Sequence, residues 1–322
     1  MRKKQSRLEP LSFEGLKTTS LQDRPSKVSL ADFGKPWKPG STFSDFIDKL
    51  PNILAAQQFR EAAAAVAEAK RKGRSILLGM GAHPIKVGLN PVLIDCLERG
   101  LLDGLALNGA GVIHDVEVAL AGKTSEDVAA HLGHGRFGTA RETAELIHGA
   151  VASAHETGGI GLGRAVGERL LSDGAPYAHM SLLAAAARLS IPVTVHVAIG
   201  TDIIHMHHAM DGGATGALSH YDFRLFCRLV TNLEAGVYIN LGSAVILPEV
   251  FLKAVSVAHN LGFSLKGITT INMDFQRHYR TRVNVVERPT AGVGKGISLT
   301  GHHEIMFPLL IASVLECLDT EK

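Results

Sequence analysis

The feature that most constrains the fold is an alternation of short, β-rich apolar runs with longer helical stretches after residue 42. Within each run the apolar residues are nearly continuous, which is typical of strands in a parallel sheet covered on both faces. The predicted strands are 75–78, 104–107, 193–197, 237–240 and 268–271. This pattern predicts an α/β fold: a Rossmann-like, doubly wound parallel sheet with helices on both faces, in a single large domain.

The first part of the chain has a different character. Residues 1–41 are rich in Pro, Ser, Lys and Arg and lack steady periodicity. We predict that they form an N-terminal arm over the body or over a partner subunit, and that residues 42–322 form the domain. The basic start, Met1–Lys4, is followed by no apolar stretch, so we do not expect a secretory signal there.

Composition excludes several classes of function. The net charge is only +2 and aromatic residues make up 5% of the chain, which argues against a nucleic-acid-binding surface. No window reaches the ~18–20 uninterrupted apolar residues that a membrane span needs. The three cysteines form no CxxC pair and suggest a reducing compartment. We therefore expect a cytoplasmic protein with neither nucleic acid nor membrane as a partner.

Small and polar residues follow the predicted strands. In an open parallel sheet the carboxyl ends of the strands line one edge, where ligands bind at the topological switch point. Glycine allows close approach of the backbone to a ligand, and helix N-termini present N–H groups to phosphate. These turns favour a nucleotide site. The candidate cofactor-binding residues among them are Gly81, Ala82, Asn108, Gly109, Gly111, Asp202, Gly242, Ser243 and Asn272.

A glycine run at 158–167 imitates a dinucleotide fingerprint. A helical stretch precedes it, whereas the fingerprint requires a strand that aims the loop at the pyrophosphate. We interpret it as a helix–helix connection or a mobile loop at the edge of a site.

Histidine is abundant, with 16 residues. His205 and His208 share one face of a predicted helix and suggest a divalent metal site, but the HxHH spacing matches no established zinc pattern. The alternative, which we favour, is that these histidines pack in the structure or contact a substrate, and we predict no metal.

A polar, basic stretch runs from Asp274 to Pro289 after the last predicted strand. It is interpreted either as a solvated loop or as a lid whose arginines bind a carboxylate or phosphate. The candidate substrate-binding residues are Asp274, Arg277, Arg280 and Arg282.

Several of these segments, in order, resemble the deoxyhypusine synthase family over roughly residues 75–315. NGAGVIHD resembles that family's TAGGVEED, LGSAVI its LGGGVV, and FPLLIA its closing FPLLVA. The segments concerned are 81–89 (GAHPIKVGL), 108–115 (NGAGVIHD), 191–193 with 198–202 (IPV and AIGTD), 241–246 (LGSAVI), 271–272 (IN) and 307–312 (FPLLIA).

The resemblance implies an NAD-dependent enzyme, a homo-oligomer (tetramer or dimer) with sites shared between subunits. Family members oxidise spermidine, hold the aminobutyl fragment on a lysine imine and transfer it to a protein lysine. Lys295 is the nearest counterpart of that lysine, and His302 takes the place of a cofactor-contacting Asp. Asp202 suits a ribose hydroxyl, because a carboxylate accepts two hydroxyl hydrogen bonds.

The departures from the family redirect the substrate prediction. The family lysine lies in a Ser-Trp-Gly-Lys motif, but no Trp lies next to Gly294 and Lys295 here. Arginines replace the acidic residues that balance the charge of a polyamine in the family. We expect aminoalkyl transfer through oxidation of a small amine or amino-acid-like substrate to an imine, but not deoxyhypusine synthesis. Lys295, His114, His205 and His208 are the catalytic candidates. The alternatives are a non-catalytic nicotinamide-nucleotide-binding regulator and a metal-dependent hydrolase that uses His205 and His208.

Overall fold

A computed structural model describes residues 8–319. Its centre is a six-stranded parallel sheet in the order β3-β2-β1-β4-β5-β6. The strands are β1 (Ile76–Met80), β2 (Gly104–Asn108), β3 (Val193–His196), β4 (Val237–Leu241), β5 (Thr269–Asp274) and β6 (Lys295–Thr300). The predicted doubly wound α/β fold is therefore confirmed, with the switch point between β1 and β4.

Five of these strands match the predicted runs, with ends that differ by at most three residues. The sixth strand, β6, was not predicted, because its sequence KGISLT begins with Lys and Gly. Its residues are fully buried only at alternate positions. That pattern is typical of the edge of a sheet, where one face of the strand is partly open to solvent.

Helices cover the sheet. They are α1 (Phe43–Lys49), α2 (Leu54–Arg71), α3 (His83–Lys86), α4 (Asn90–Glu98), α5 (Gly109–Ala121), α6 (Val128–Leu132), α7 (Arg141–Thr157), α8 (Leu162–Ser172), α9 (Leu182–Leu189), α10 (Gly212–Val230), α11 (Ile246–Asn260), α12 (Tyr279–Thr281) and α13 (His303–Asp319). Short 3₁₀ turns lie at Leu30–Asp32, Ala178–Met180 and Ile203–Met206, and a π-helical turn lies at Arg282–Glu287. No helix among residues 8–319 combines the length and apolarity that crossing a bilayer requires.

The two faces of the sheet bury separate cores. Along β1, Ile76 and Leu78 belong to a large core that also holds residues of α2, α4, α5 and α13. Leu77 points the other way, into a smaller core that holds residues of α11 and the end of α10. Because successive strand residues face opposite sides, a strand between two helical layers must be apolar at nearly every position.

The segment before α1 is almost entirely exposed. Within residues 8–41 the structure describes only the 3₁₀ turn Leu30–Asp32 as regular helix or strand. A short attachment joins it to the body, where the amide of Lys35 donates to the carbonyl of Lys49. The division between arm and domain at residue 41 stays a prediction. The segment for which we expect no secretory signal lies mostly outside the described residues.

Candidate functional site

The turns after β1 and β4 meet at the switch point. The amide of Gly81 donates to the carbonyl of Leu241 at 3.1 Å. A Cβ on Gly81 would lie 2.5 Å from the carbonyl oxygen of Gly242, and Gly242 itself has φ +66°. Only glycine fits this close approach and this left-handed backbone without strain. The glycines that the sequence singled out therefore hold two strand ends together.

Two buried asparagines fix the β4 turn. The side-chain amide of Asn240 donates to Oδ1 of Asn272 on β5 (2.8 Å) and to the carbonyl of Ser243 (3.0 Å). The hydroxyl of Ser243 accepts from the amide of Leu247 in the first turn of α11. These contacts hold the small residues at the end of β4 in one conformation, in front of the helix N-terminus.

A histidine pair lies against the same turn. His83 begins α3 directly after β1, and His303 begins α13 after β6. Their Nδ1 atoms are 3.3 Å apart. Nε2 of His303 lies 3.8 Å from Oδ1 of Asp274, at the end of β5. His303 is 1% exposed, and its Nε2 has no hydrogen-bond partner in the described part of the chain.

Burial controls the charge of this cluster. Desolvation lowers the pKa of His303, although the carboxylate of Asp274 opposes the shift. Desolvation and then Lys86 lower the pKa of His83, with Asp274 and Glu304 opposing. Both imidazoles are therefore neutral at pH 7.

An aromatic side chain covers the cluster. The ring of Phe275, 41% exposed, lies 5.4 Å from the His83 ring and 5.6 Å from the His303 ring, centroid to centroid. The ring of His302 stacks on Phe275 at 6.2 Å, and its side chain is 69% exposed. His302, the predicted cofactor contact, thus lies at the outer rim, whereas its neighbour His303 faces inward.

A second polar group lies over the start of α5. Oδ2 of Asp202 is so near Gly109 that a Cβ there would be 2.0 Å away. Nδ1 of His205 accepts from the amides of Gly200 (3.0 Å) and Asp202 (3.2 Å), and its Nε2 is 3.9 Å from Oδ2 of Asp202. Burial raises the pKa of Asp202, while His205 partly offsets the shift. Asn108 caps α5 by accepting from the amide of Gly111 at 2.9 Å.

His114 lies one turn further along α5. Its Nδ1 is 2.6 Å from the hydroxyl of Thr124 and 3.5 Å from a carboxylate oxygen of Glu117. Burial alone would raise the pKa of Glu117, but the hydrogen bonds from His114 and Thr124 outweigh it and the pKa is lowered. His114 lines a cavity of about 160 Å³ together with Lys86 of α3 and Asp202. The cavity therefore adjoins the helix that carries His83.

The structure does not bring Lys295 to this edge, which corrects the expected position. Lys295 is the first residue of β6 and pairs in register with Thr269, the first residue of β5. At ~3.3 Å per residue it lies roughly 17 Å from the end of its strand. Its side chain is exposed and forms an ion pair with Glu61 at 2.8 Å.

The three candidate arginines differ in their partners. Arg280 forms an ion pair with Glu249, and Arg282 with Glu287. Arg277 donates to the hydroxyl of Thr300 at the carboxyl end of β6 and has no carboxylate partner within the described chain. Asp274, expected to contact substrate, is buried beside His303.

The histidines proposed as metal ligands also differ. His205 is buried against Asp202, whereas His208 is exposed and its ring packs against His207. Among residues 8–319 no three His, Cys, Asp or Glu side chains are grouped to hold a metal ion. The metal-hydrolase alternative thus lacks a ligand set there.

The glycine run lies far from the switch point. It connects α7 to α8, as predicted, and lines a cavity of about 220 Å³ with Pro192 and Val193 at the amino end of β3. It contacts the buried carboxyl of Asp222.

Sequence reasoning missed His83, His303 and Phe275. Two signals were present: His83 is in the turn after β1, and His303 is in the His-His pair before the last helix. The missing information was β6, because without that strand nothing places the start of α13 at the carboxyl edge.

No protein-family model and no curated protein sequence matches this chain. Among solved structures it is similar to AgrE, crystallised with ornithine and NAD+, at 13% identity and a TM-score of 0.53. The match covers 82% of this chain and 33% of AgrE, so the chain spans about a third of that protein.

A conserved putative LOR/SDH protein from Methanococcus maripaludis S2 is also similar, at 16% identity and a TM-score of 0.50, over 87% of this chain and 72% of that one. A putative deoxyhypusine synthase from Entamoeba histolytica shows a weaker likeness, at 12% identity and a TM-score of 0.48, over 88% and 96%. At such identities the likeness to AgrE and the LOR/SDH protein establishes a common fold, and membership of the deoxyhypusine synthase family stays a prediction from the motifs.

Proposed function

We propose that this chain binds NAD at the carboxyl edge of its sheet and oxidises a small amine or amino-acid-like substrate. The strand order 3-2-1-4-5-6 carries the proposal, because sheets of this order bind dinucleotides at the switch point. The ornithine and NAD+ found in AgrE, a protein of similar fold, agree with this class of ligand.

The residues at the switch point fit a dinucleotide. Gly81 and Gly242 bring the ends of β1 and β4 together at this point, with Ala82 and Ser243 as the adjoining small side chains. We assign the carboxylate of Asp202, in the adjoining cavity, to a ribose hydroxyl.

NAD supplies a hydride acceptor. In the reaction R–CH2–NH3+ + NAD+ → R–CH=NH2+ + NADH + H+, the hydride leaves carbon and one proton leaves nitrogen. The chain must orient the C–H bond and accept that proton. Attack by water on the imine gives an aldehyde and ammonia. Attack by a second amine releases ammonia and leaves a substituted imine, whose reduction by NADH would complete aminoalkyl transfer. Lys295, at the opposite edge of the sheet, does not reach the imine within one subunit.

Arg277 is the group we assign to a substrate carboxylate. It is exposed at the end of β6, and its guanidinium lacks a carboxylate partner among the described residues. A guanidinium binds a carboxylate through two parallel hydrogen bonds. This assignment favours amino-acid-like substrates over simple polyamines.

Self-association belongs to the same proposal. Residues 8–41 carry large apolar side chains that are 44–95% exposed, with Trp37 partly covered by Phe46 and Lys49: Leu8, Leu11, Phe13, Leu16, Leu21, Val28, Leu30, Phe33 and Trp37. Exposed apolar surface of this extent is typical of an interface. We propose that the arm packs on a second copy of the chain, so that removal of residues 1–41 lowers the mass measured by light scattering.

Calorimetric titration with NAD+ and NADH, followed by nicotinamide absorbance with a panel of amines and basic amino acids, tests the function. Ala82→Glu places a carboxylate beside the proposed pyrophosphate and should weaken NAD+ binding at least tenfold. Ala291→Glu, at the amino edge, is the matched control. Tight NAD+ binding without turnover of any amine supports the regulatory alternative. No heat in the wild type overturns the proposal.

A further inference from the structure

We propose that His83 is the group that takes the proton from the substrate nitrogen, and that His303 and Asp274 position it. The inference rests on the proposed function and adds to it a residue that the sequence did not single out. Its basis is a row of three neighbouring side chains, Asp274, His303 and His83. The row leads from a buried carboxylate through two imidazoles to the switch point.

The three side chains lie one after another, with His303 in the middle. Asp274 lies 3.8 Å from Nε2 of His303, and Nδ1 of His303 lies 3.3 Å from Nδ1 of His83. Asp274 and His303 are buried, at 4% and 1% exposure, whereas His83 is only half-buried. Only the last member can meet a ligand.

The carboxylate selects the tautomers. A negative charge beside Nε2 of His303 favours the proton on that atom, so Nδ1 of His303 becomes an acceptor. Only one proton fits between the two Nδ1 atoms, and His83 therefore donates it. Nε2 of His83 is left with a lone pair, which is the atom that a general base requires.

The other histidines at this edge are less suited to the role. Nδ1 of His205 accepts two backbone amides, and its Nε2 is buried against Asp202. His114 lines the separate cavity beside Asp202 and not the turns after β1 and β4, and its Nδ1 contacts Thr124 and Glu117.

Charged groups from three elements face His83. Lys86 of the same helix opposes its protonation, whereas Asp274 of β5 and Glu304 of α13 favour it, and His303 is the neutral partner. Burial outweighs the acidic groups, so His83 is a free base above its ordinary pKa of 6.5 and for some distance below it. Turnover should rise with pH, with a half-maximum below pH 6.5.

The direct test compares His83→Gln with His259→Gln, an exposed histidine near the carboxyl end of α11. His83→Gln should lower the rate of NAD+ reduction by ~10²–10⁴-fold, the usual contribution of a general base. Its dissociation constant for NAD+ should stay within about threefold, which also shows that the variant is folded. His259→Gln should match the wild type in both measurements.

Two further variants separate chemistry from packing. Imidazole in the buffer should restore part of the activity of His83→Ala, which no purely structural loss allows. Asp274→Asn should move the acid limb of the rate profile to lower pH, because its carboxylate raises the affinity of both imidazoles for a proton.

The outcomes distinguish the two proposals. No NAD+ heat or no amine oxidation by the wild type overturns the proposed function, and the inference fails with it. Oxidation by the wild type with an unchanged rate and pH profile in His83→Gln overturns the inference alone.

Discussion

The two edges of the sheet each hold a buried carboxyl group beside a glycine turn, yet their surroundings differ. At the amino edge, Oδ2 of Asp222 accepts from the amides of Gly163 (3.0 Å) and Val195 (2.9 Å), while its Oδ1 has no partner in the described chain. At the carboxyl edge, Asp274 faces His303, which contacts the half-exposed His83.

The difference lies in the kind of partner. The amides that hold Asp222 do not exchange protons at neutral pH, so this carboxyl group joins α8 to β3. Imidazoles can accept a proton from a ligand and share it toward a buried carboxylate. An incompletely paired polar cluster thus indicates a reactive site when titratable groups connect it to an opening. Cavity size misleads here, because the cavity at the amino edge exceeds the one lined by His114.

The largest expected effect concerns Asp222 and the pH dependence of stability. Burial raises its pKa to about 7, against the amides that lower it. The folded state therefore binds a proton that the unfolded state has released, and stability falls as pH rises from 4 to 7. The loss from this group is about 4 kcal/mol. Asp222→Asn should remove that slope.

The pH dependence of stability is measured from urea unfolding midpoints at several pH values between 4 and 8. Asp173→Asn, at an exposed ion pair with Arg169, is the control and should keep the wild-type slope. Parallel curves for Asp222→Asn and the wild type would show that Asp222 does not titrate in this range.

Gly242→Ala tests the carboxyl edge. Its Cβ would lie 2.6 Å from the ring of His303, in a backbone with φ +66°. We expect a loss of about 2–3 kcal/mol from strain and displacement of the ring, with weaker NAD+ binding. Gly262→Ala is the matched control, because φ is +83° and nothing lies within 4 Å. It should lose only about 1 kcal/mol. Chemical denaturation measures the loss of unfolding free energy in both variants. Equal losses would mean that displacement of the His303 ring adds nothing to the cost of Gly242→Ala.

Arg277→Met should lower kcat/KM for amino-acid-like substrates by ~10–100-fold, the value of one charge-assisted hydrogen bond. Amines without a carboxylate should be unaffected. Arg280→Met is the control, because the guanidinium of Arg280 already pairs with Glu249. It should change kcat/KM for both substrate classes equally. The assignment of Arg277 is wrong if its variant fails to discriminate between them.

Lys295→Met should have the smallest effect. Its ion pair with Glu61 is exposed, and such pairs contribute less than about 1 kcal/mol. Denaturant unfolding should show a change of that size and turnover should persist. Abolished turnover in a folded variant would instead favour the covalent role suggested by the family resemblance, with Lys295 acting on another subunit's site.

Much of the fold was predictable from residues alone. Buried parallel strands are apolar at nearly every position, so β1 to β5 stand out against the amphipathic helices. Their Gly-rich and Asn-rich ends lie together at the carboxyl edge of the sheet. β6 was missed because an edge strand with Lys295 and Gly296 at its start lacks that signal.

The site was predictable only in part. Gly81 and Gly242 lie at the switch point because strand ends carry their own turn residues. His83 and His303 are 220 residues apart, and no local pattern relates them.

The amino-acid sequence by itself determined the layers of this protein and the edge at which its polar turns gather, because hydrophobic periodicity and glycine turns are local properties of the chain. Only the tertiary structure decided which of the 16 histidines lie together and on which edge Lys295 lies. Those facts depend on strand order and on the position of β6, which are set by packing between distant segments.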